Sequence, residues 1–186
     1  SQIFVTNKDR ITIYCDLSFS NSGDYKGVSV MTKRGDDLFL IDLYGRKGSV
    51  NSVMYWLYDV YEKYHNMGCP VYLYMEAVFG QDKIYEQFKD VSNEKGYRLP
   101  FIMDKAVKAN KFNRIELSSV YFERGRFFIN EDIFDSQDVK NLLDQYMAFG
   151  EGSKFHDDIP DSIASNIEKT NKNNKTSDFN PILNRT

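Results

Sequence analysis

The chain has 186 residues, of which 41% are hydrophobic and 15% aromatic, and its formal net charge is −3. This length and apolar content allow one domain with a full hydrophobic core. Such a domain needs no disulfide or structural metal for stability. Cys15 and Cys69 lie beside apolar segments, which is typical of free thiols in a reducing compartment. No apolar run approaches the roughly 20 residues of a membrane span, and the N-terminus has no signal-peptide pattern. We therefore expect a cytoplasmic protein with no membrane partner.

The first third of the chain predicts three strands joined by short turns, which favours an antiparallel meander. These strands are predicted at Ile11–Leu17, Gly27–Thr32 and Leu38–Tyr44. From Ser49 to Tyr64 apolar residues recur at helical spacing, with Ser49 as the N-cap and Gly68 just past the end.

The rest of the chain alternates short strands with helices, which indicates a mixed sheet with helices on both faces. The strands are predicted at Pro70–Met75 and Arg98–Met103, and the helices at Gln81–Ser92, Lys105–Ser118, Ser136–Phe149 and Asp157–Lys169. An extra β-hairpin is predicted from Tyr121–Phe122 and Arg126–Ile129. Because the end of the chain is polar and low in complexity, we predict a domain at 1–169 and a flexible tail at 170–186.

Carboxylates stand at three distant points of the sequence. Asp16 and Glu76 each end an apolar strand, and the run His156-Asp157-Asp158-Ile159-Pro160-Asp161 opens the last helix. Two-metal phosphoryl chemistry needs hard oxygen ligands that converge on ions about 3.5–4 Å apart. Carboxylate oxygens are such ligands. If the fold brings them together, these acids indicate a metal-dependent site that cleaves phosphodiesters.

Each acid also has a plain structural interpretation. Asp16 could begin a turn, and Glu76 could be solvated or pair with a buried arginine. Asp157 or Asp158 could cap the last helix, since acids favour the positive N-terminal end. Helical spacing leaves open which acids face the sheet, because Asp158 and Asp157 lie three and four residues before Asp161. The metal interpretation therefore depends on all three groups together.

His156 and a basic stripe are the remaining candidates. His156 could ligate a metal, move a proton or orient one of the acids, although a structural role is more common. Basic side chains recur every three residues on the helix predicted at 105–118. They are Lys105, Lys108, Lys111 and Arg114. Such a row can neutralise DNA phosphates without reading sequence, or it can be a solvated helix face.

At these residues the chain resembles the C-terminal nuclease domain of the large terminase subunit of tailed bacteriophages, in the ribonuclease H-like superfamily. The resemblance runs from about Ile11 to Ile167. It is carried by Asp16-Leu17-Ser18, Gly23-Asp24-Tyr25, Glu76, Lys108 to Arg114-Ile115 with Gly125, and the block from His156 to Ser162. That final block is the most specific part. Ser162 stands where the family usually has alanine, and Glu76 where many relatives have aspartate.

The resemblance implies a mixed five-stranded sheet flanked by helices, and cutting of concatemeric viral DNA during genome packaging with Mg²⁺ or Mn²⁺. Asp16 and Glu76 match the first two catalytic acids, and Asp158 or Asp161 matches the third. Asp24 and Asp157 are further candidates for metal binding. One ion held by Asp16 and a late acid would activate water, and a second held by Asp16 and Glu76 would stabilise the leaving 3′-oxygen. Lys105, Lys108, Lys111 and Arg114 would hold the DNA backbone.

The implied partners are double-stranded DNA, an N-terminal ATPase motor domain, the small terminase subunit and the portal, in the cytoplasm of an infected or lysogenic bacterial host. Two alternatives stay open. One is another ribonuclease H-like nuclease, such as a Holliday-junction resolvase or a transposase core. The other is a non-catalytic module that binds nucleic acid on the same scaffold.

Overall fold

The computed structural model of the protein describes residues 2–17, 25–76, 81–105, 111–149 and 158–175. Within these ranges, six strands form one mixed sheet in the order β5-β4-β1-β2-β3-β6. The strands are β1 (Ile11–Leu17), β2 (Tyr25–Arg34), β3 (Asp37–Lys47), β4 (Val71–Glu76), β5 (Phe101–Asp104) and β6 (Phe127–Ile129). The helices are α1 (Val50–Asn66), α2 (Gln81–Lys95), α3 (Lys111–Glu123), α4 (Glu131–Phe134), α5 (Gln137–Ala148) and α6 (Asp158–Lys175).

Strands β1, β2 and β3 form the predicted antiparallel meander. Thr12 pairs with Met31 and Asp16 with Gly27 across β1 and β2, and β2 pairs antiparallel with β3. All seven residues of β1 are buried. A central strand covered by helices on both faces is expected to be mostly apolar, which explains why only Thr12 and Asp16 are polar in this strand.

The second half of the sheet is parallel. Strand β4 lies parallel to β1, β5 parallel to β4, and β6 parallel to β3. Parallel neighbours need crossover connections, and α1 and α2 supply them on the way to β4 and β5. The prediction of a mixed sheet with an antiparallel meander and flanking helices is confirmed.

Two hydrophobic cores cover the two faces of the sheet. Side chains such as Ile13 and Val28 pack with Met54 and Leu57 of α1 on one face. The second core holds residues of β2, β3, α5 and α6, including Met31, Leu40, Val139 and Ile163. Helix α6 therefore lies flat against the sheet opposite α1.

Both predicted N-caps are present. The Ser49 hydroxyl accepts a hydrogen bond from the Ser52 amide at 3.2 Å, and Ser136 accepts one from the Val139 amide at 3.3 Å. These bonds satisfy amides that would otherwise have no partner inside the helix. Local capping signals thus place the starts of α1 and α5 correctly.

The predicted hairpin around Glu123-Arg124-Gly125 is wrong. Tyr121 and Phe122 belong to the last turns of α3, and Phe127–Ile129 form β6 at the edge of the sheet. The sheet therefore has six strands where five were expected. Phe122 stacks on Phe127 with ring centroids 4.2 Å apart. Strand β6 pairs with Leu38–Leu40 of β3, far away in sequence, so local alternation could not identify its partner.

Helix α6 extends beyond its predicted end at Lys169, to Lys175. Thr170 donates to the Asn166 side chain at 3.0 Å, and Asn173 donates to the Thr12 hydroxyl of β1 at 3.1 Å. The polar composition that predicted a tail from 170 instead forms a hydrogen-bonded helix–sheet contact. The tail residues 176–186 lie outside the described ranges. Over those ranges, no helix is long and apolar enough to cross a membrane.

Candidate active site

Three carboxylates meet at one edge of the sheet, where the parallel strands β1, β4 and β5 end. Cys15 pairs with Met75, which puts Asp16 and Glu76 at the next position along the ladder. Glu76 in turn pairs with Asp104, the last residue of β5. Because paired residues of parallel strands point to the same face, the three acids lie side by side. The structure thus brings the first two predicted acids together and adds Asp104.

The surroundings of these acids place them on the face that α6 covers. Tyr14 precedes Asp16 by two residues and therefore points the same way. The Tyr14 hydroxyl donates to Asp104 Oδ2 at 3.0 Å. Burial, followed by the charges of Asp104 and Glu76, raises the pKa of Tyr14. Burial and the neighbouring charge of Asp16 raise the pKa of the Cys15 thiol. Both shifts keep these groups protonated beside a negatively charged edge.

The start of α6 comes close to this edge through a glycine. Gly27 is the cross-strand partner of Asp16. A Cβ atom placed on Gly27 would lie 2.8 Å from the backbone oxygen of Asp158 and 3.1 Å from Cβ of Ser162. The third acidic group therefore approaches the sheet directly over the neighbour of Asp16. A side chain at position 27 would keep the start of α6 away from the sheet.

Gly27→Ala should destabilise the protein by about 1–3 kcal/mol, because the new methyl group meets a backbone atom that cannot rotate aside. It should also lower any metal-dependent activity, since Asp158 must move with its helix. Urea denaturation and a cutting assay measure the two effects. Gly35→Ala is the matched control. Its Cβ has no neighbour within 4 Å but its φ is +59°, so it should cost stability through backbone strain alone and leave activity unchanged. Wild-type activity in Gly27→Ala would contradict the role given to this close approach.

The later acid, Asp161, is held by α3. It forms an ion pair with Arg114, and the two side chains are only 6% and 12% exposed. Lys111 Nζ lies 3.9 Å from Asp161 Oδ2 and 3.7 Å from Asp158 Oδ1. Two cations of α3 therefore contact the two acids of α6.

These contacts correct the predicted basic stripe. Lys105 follows β5 and does not belong to α3, which begins at Lys111. Lys111 and Arg114 do share α3, but they face the acids of α6 instead of forming a solvated row. Sequence spacing predicted a common helix face and could not show that acids from residues 158–161 would lie against it.

The acidic edge has the ligand chemistry of a divalent metal site. Asp16, Glu76 and Asp158 offer hard oxygen ligands of the kind that Mg²⁺ and Mn²⁺ prefer. In the part of the chain that the structure describes, however, no three His, Cys, Asp or Glu side chains lie close enough to hold a metal ion. The donor chemistry fits a divalent cation, and the side chains would have to close around it.

Comparison with known proteins connects this arrangement to a family. Residues 13–169 match the terminase RNaseH-like domain. The chain belongs to the terminase RNaseH-like domain family. A search of curated proteins found no match.

Solved terminase nuclease domains share the fold. The human cytomegalovirus terminase nuclease domain, Mn-soaked and inhibitor-bound, has a TM-score of 0.63 at 12% identity, over 87% of this chain and 82% of that chain. The large terminase nuclease from thermophilic phage G20c, with bound magnesium, has a TM-score of 0.58 at 19% identity, again over 87% and 82%. The predicted family and the ribonuclease H-like fold are confirmed.

This terminase domain fixes α6 on the sheet through polar side chains. The Asn166 amide donates to the backbone oxygens of Thr12 and Ser29 at 3.1 and 2.8 Å. Ser162, which replaces the usual alanine, donates to the backbone oxygen of Tyr14 at 3.2 Å. Directional bonds to both β1 and β2 set the position and rotation of the helix that carries the late acids.

A buried group that sequence reasoning missed completes this edge of the terminase fold. Lys169 Nζ lies 2.7 Å from Asp104 Oδ1, with side chains 8% and 6% exposed. Asp104 directly follows the predicted strand Arg98–Met103, as Glu76 follows the predicted strand Pro70–Met75, so the same strand-end signal could have found it. Lys169 had no such signal, because only the packing of α6 brings it to the sheet.

Four predicted site residues lie outside the described ranges. They are Asp24, Lys108, His156 and Asp157.

Proposed function

We propose that this domain is a Mg²⁺- or Mn²⁺-dependent endonuclease that cuts concatemeric viral DNA during genome packaging, as part of a large terminase subunit. The observation that supports the proposal is the meeting of acids from β1, β4 and α6 at one edge of a terminase-family fold. The cytomegalovirus and G20c nuclease domains were solved with manganese and magnesium respectively. In this proposal, double-stranded DNA is the substrate, and an ATPase motor domain, the small subunit and the portal are the partners.

Asp16, Glu76 and Asp158 are the acids that would hold the ions. Asp158 is preferred to Asp161 because the Asp161 carboxylate is ion-paired with a buried arginine, whereas Asp158 has the looser contact with Lys111. When bound, the ions lower the pKa of an attacking water and stabilise the charge on the leaving oxygen. Because β1 lies between β4, which carries Glu76, and β2, over which α6 begins, Asp16 is the ligand we propose to be shared by the two ions.

The remaining candidates have separate roles in this proposal. Arg114 positions Asp161 and so ties α3 to α6. Lys105 is exposed beyond the end of β5, and the Lys111 side chain is 38% exposed at the start of α3. In this proposal both contact a DNA backbone that enters the acidic edge, and their exposure supports that role. Lys108, Asp24, Asp157 and His156 stay as predicted contributors to DNA binding, metal binding and orientation of the acids.

The test of this function is cutting of supercoiled plasmid with Mn²⁺ or Mg²⁺, compared with the same reaction in EDTA. We expect nicked and linear products only with the metal, and their loss in Glu76→Gln. Linear concatemers and four-way junctions are then offered in competition. Preferred symmetric cutting of the junction would assign the domain to the resolvases, and no cutting of any DNA would favour the non-catalytic module.

Asp158→Asn should mainly affect metal binding, and Asp161→Asn should mainly affect stability in the absence of metal. Asp158→Asn should remove most of the rise in melting temperature produced by millimolar Mn²⁺, because a ligand that binds only the folded state stabilises it by mass action. Asp161→Asn should instead cost about 1.5–3 kcal/mol without metal, since it weakens a hydrogen bond to a buried charged group. Calorimetry of both variants with and without Mn²⁺ measures this. The reverse pattern would make Asp161 the ligand.

A further inference from the structure

We propose that Lys111 couples metal binding to DNA binding. In the metal-free protein its ammonium neutralises Asp158, and when a divalent ion takes that place Lys111 is released to a DNA phosphate. This inference rests on the proposed function, because it assumes that Asp158 is a metal ligand. It makes Lys111 a positioning residue whose partner changes during the reaction.

The geometry distinguishes Lys111 from its neighbour on α3. Its Nζ atom lies 3.7 Å from Asp158 and 3.9 Å from Asp161, longer than the 2.7–2.9 Å typical of a charged hydrogen bond. Its side chain is 38% exposed, whereas that of Arg114 is 12% exposed and bonded to Asp161. One cation of α3 is thus buried in its ion pair with Asp161, whereas the other is more exposed and contacts both acids at longer distances.

Repulsion among the acids favours a cation beside Asp158. Asp16, Glu76 and Asp158 repel one another when no metal is present. A lysine ammonium is a compact charge on a flexible stem, so it can stand in for a metal and leave without disturbing the backbone. A divalent ion at Asp158 would both neutralise the acid and repel the ammonium. The displaced ammonium would then be at the mouth of the site, where a phosphate brings the opposite charge.

Thermodynamic linkage allows this coupling to be measured either from DNA affinity or from metal affinity. If the metal releases Lys111 for DNA, the metal must raise DNA affinity by the same factor by which DNA raises metal affinity. Removal of the lysine should therefore increase metal affinity in the absence of DNA and reduce the coupling.

The first experiment measures Mn²⁺ affinity of the DNA-free protein from the electron paramagnetic resonance signal of free Mn²⁺. Lys111→Met should bind Mn²⁺ about three- to tenfold more tightly, as expected for loss of one partly exposed competing charge. Lys111→Arg should behave as the wild type, because it keeps the cation. Lys172→Met is the matched control, since this exposed lysine pairs with Glu168 at 2.7 Å on α6. Unchanged or weaker Mn²⁺ binding in Lys111→Met would overturn the proposal.

The second experiment measures binding of a short DNA duplex by fluorescence anisotropy in EDTA and in Ca²⁺, which uses the same oxygen ligands. Ca²⁺ should raise the affinity of the wild type and of Lys172→Met more than that of Lys111→Met. Equal stimulation in all three would refute the coupling. Lys111→Gln serves as a second neutral variant if the methionine variant does not fold.

Asp158→Asn separates the two levels of the proposal. If it leaves Mn²⁺ affinity unchanged, the assignment of Asp158 as a ligand fails, and the coupling fails with it. If it weakens Mn²⁺ binding while Lys111→Met does not strengthen it, only the coupling is wrong.

Discussion

Asp16→Asn should reduce plasmid cutting by at least about 10²-fold while the protein stays folded. Even residues that only orient a metal ligand typically contribute 10- to 100-fold, so the shared ligand should contribute no less. Asp16 is 9% exposed and lies beside Glu76, and repulsion between the two carboxylates opposes folding when no ion is bound. Because asparagine keeps the shape of the side chain, the melting temperature in EDTA should stay close to that of the wild type. The cutting rate at saturating Mn²⁺ and a thermal melt in EDTA measure the two parts.

Asp42→Asn is the matched control for this variant. Asp42 is also a carboxylate on the sheet, but it lies on β3 with Lys63 Nζ 3.8 Å away, remote from the acidic edge. It should cut plasmid at the wild-type rate. If Asp16→Asn retained activity comparable to Asp42→Asn, the acidic edge would not be the catalytic site.

Lys169→Met should destabilise the protein by about 3–5 kcal/mol, the cost of leaving one member of a buried ion pair without its partner. The partner is Asp104 at the end of β5, which has 6% side-chain exposure and would be left as a buried carboxylate facing α6. The loss should appear as a lower midpoint of urea denaturation. It should be larger than the loss in Lys172→Met, whose lysine is 62% exposed in its pair with Glu168.

The double variant Asp104→Asn/Lys169→Met tests the cause of that loss. Removal of both charges leaves no unpaired charge at the Asp104–Lys169 contact, so the double variant should recover much of the stability lost in Lys169→Met. A loss in the double variant equal to the sum of the two single losses would mean that the residues act independently. A single-variant loss below about 1 kcal/mol would mean that the pair is effectively solvated.

Much of the fold follows from local patterns. The run Ile11–Leu17, in which only Thr12 and Asp16 are polar, predicts β1 with its bounds, because a central strand buried on both faces is mostly apolar. Ser49 and Ser136 predicted helix starts because capping depends on residues only three positions apart. The acids that end β1 and β4 were visible for the same reason, since parallel strands share one carboxyl edge.

The errors concern contacts between distant segments. Strand β6 pairs with β3, which lies nearly half the chain earlier. Local sequence cannot show this pairing, so the aromatic residues near Gly125 predict a hairpin instead. The end of α6 is stabilised by Thr12 of β1, and nothing in the polar sequence after Lys169 indicates that partner. In each case the deciding bond joins residues that are neighbours only after folding.

The sequence by itself determined the family, the strand-end acids and the late acidic block, because each is a matter of residue type and short spacing. Only the tertiary structure decided which acids contact cations of the protein. Helix α6 packs over Gly27, the cross-strand partner of Asp16, and so brings Asp158 close to it. Arg114 forms an ion pair with Asp161, and Lys169 forms one with Asp104. Coulombic interactions act through a few ångströms of space regardless of separation along the chain, so the assignment of each acid to a metal or to a cation of the protein depends on the folded packing.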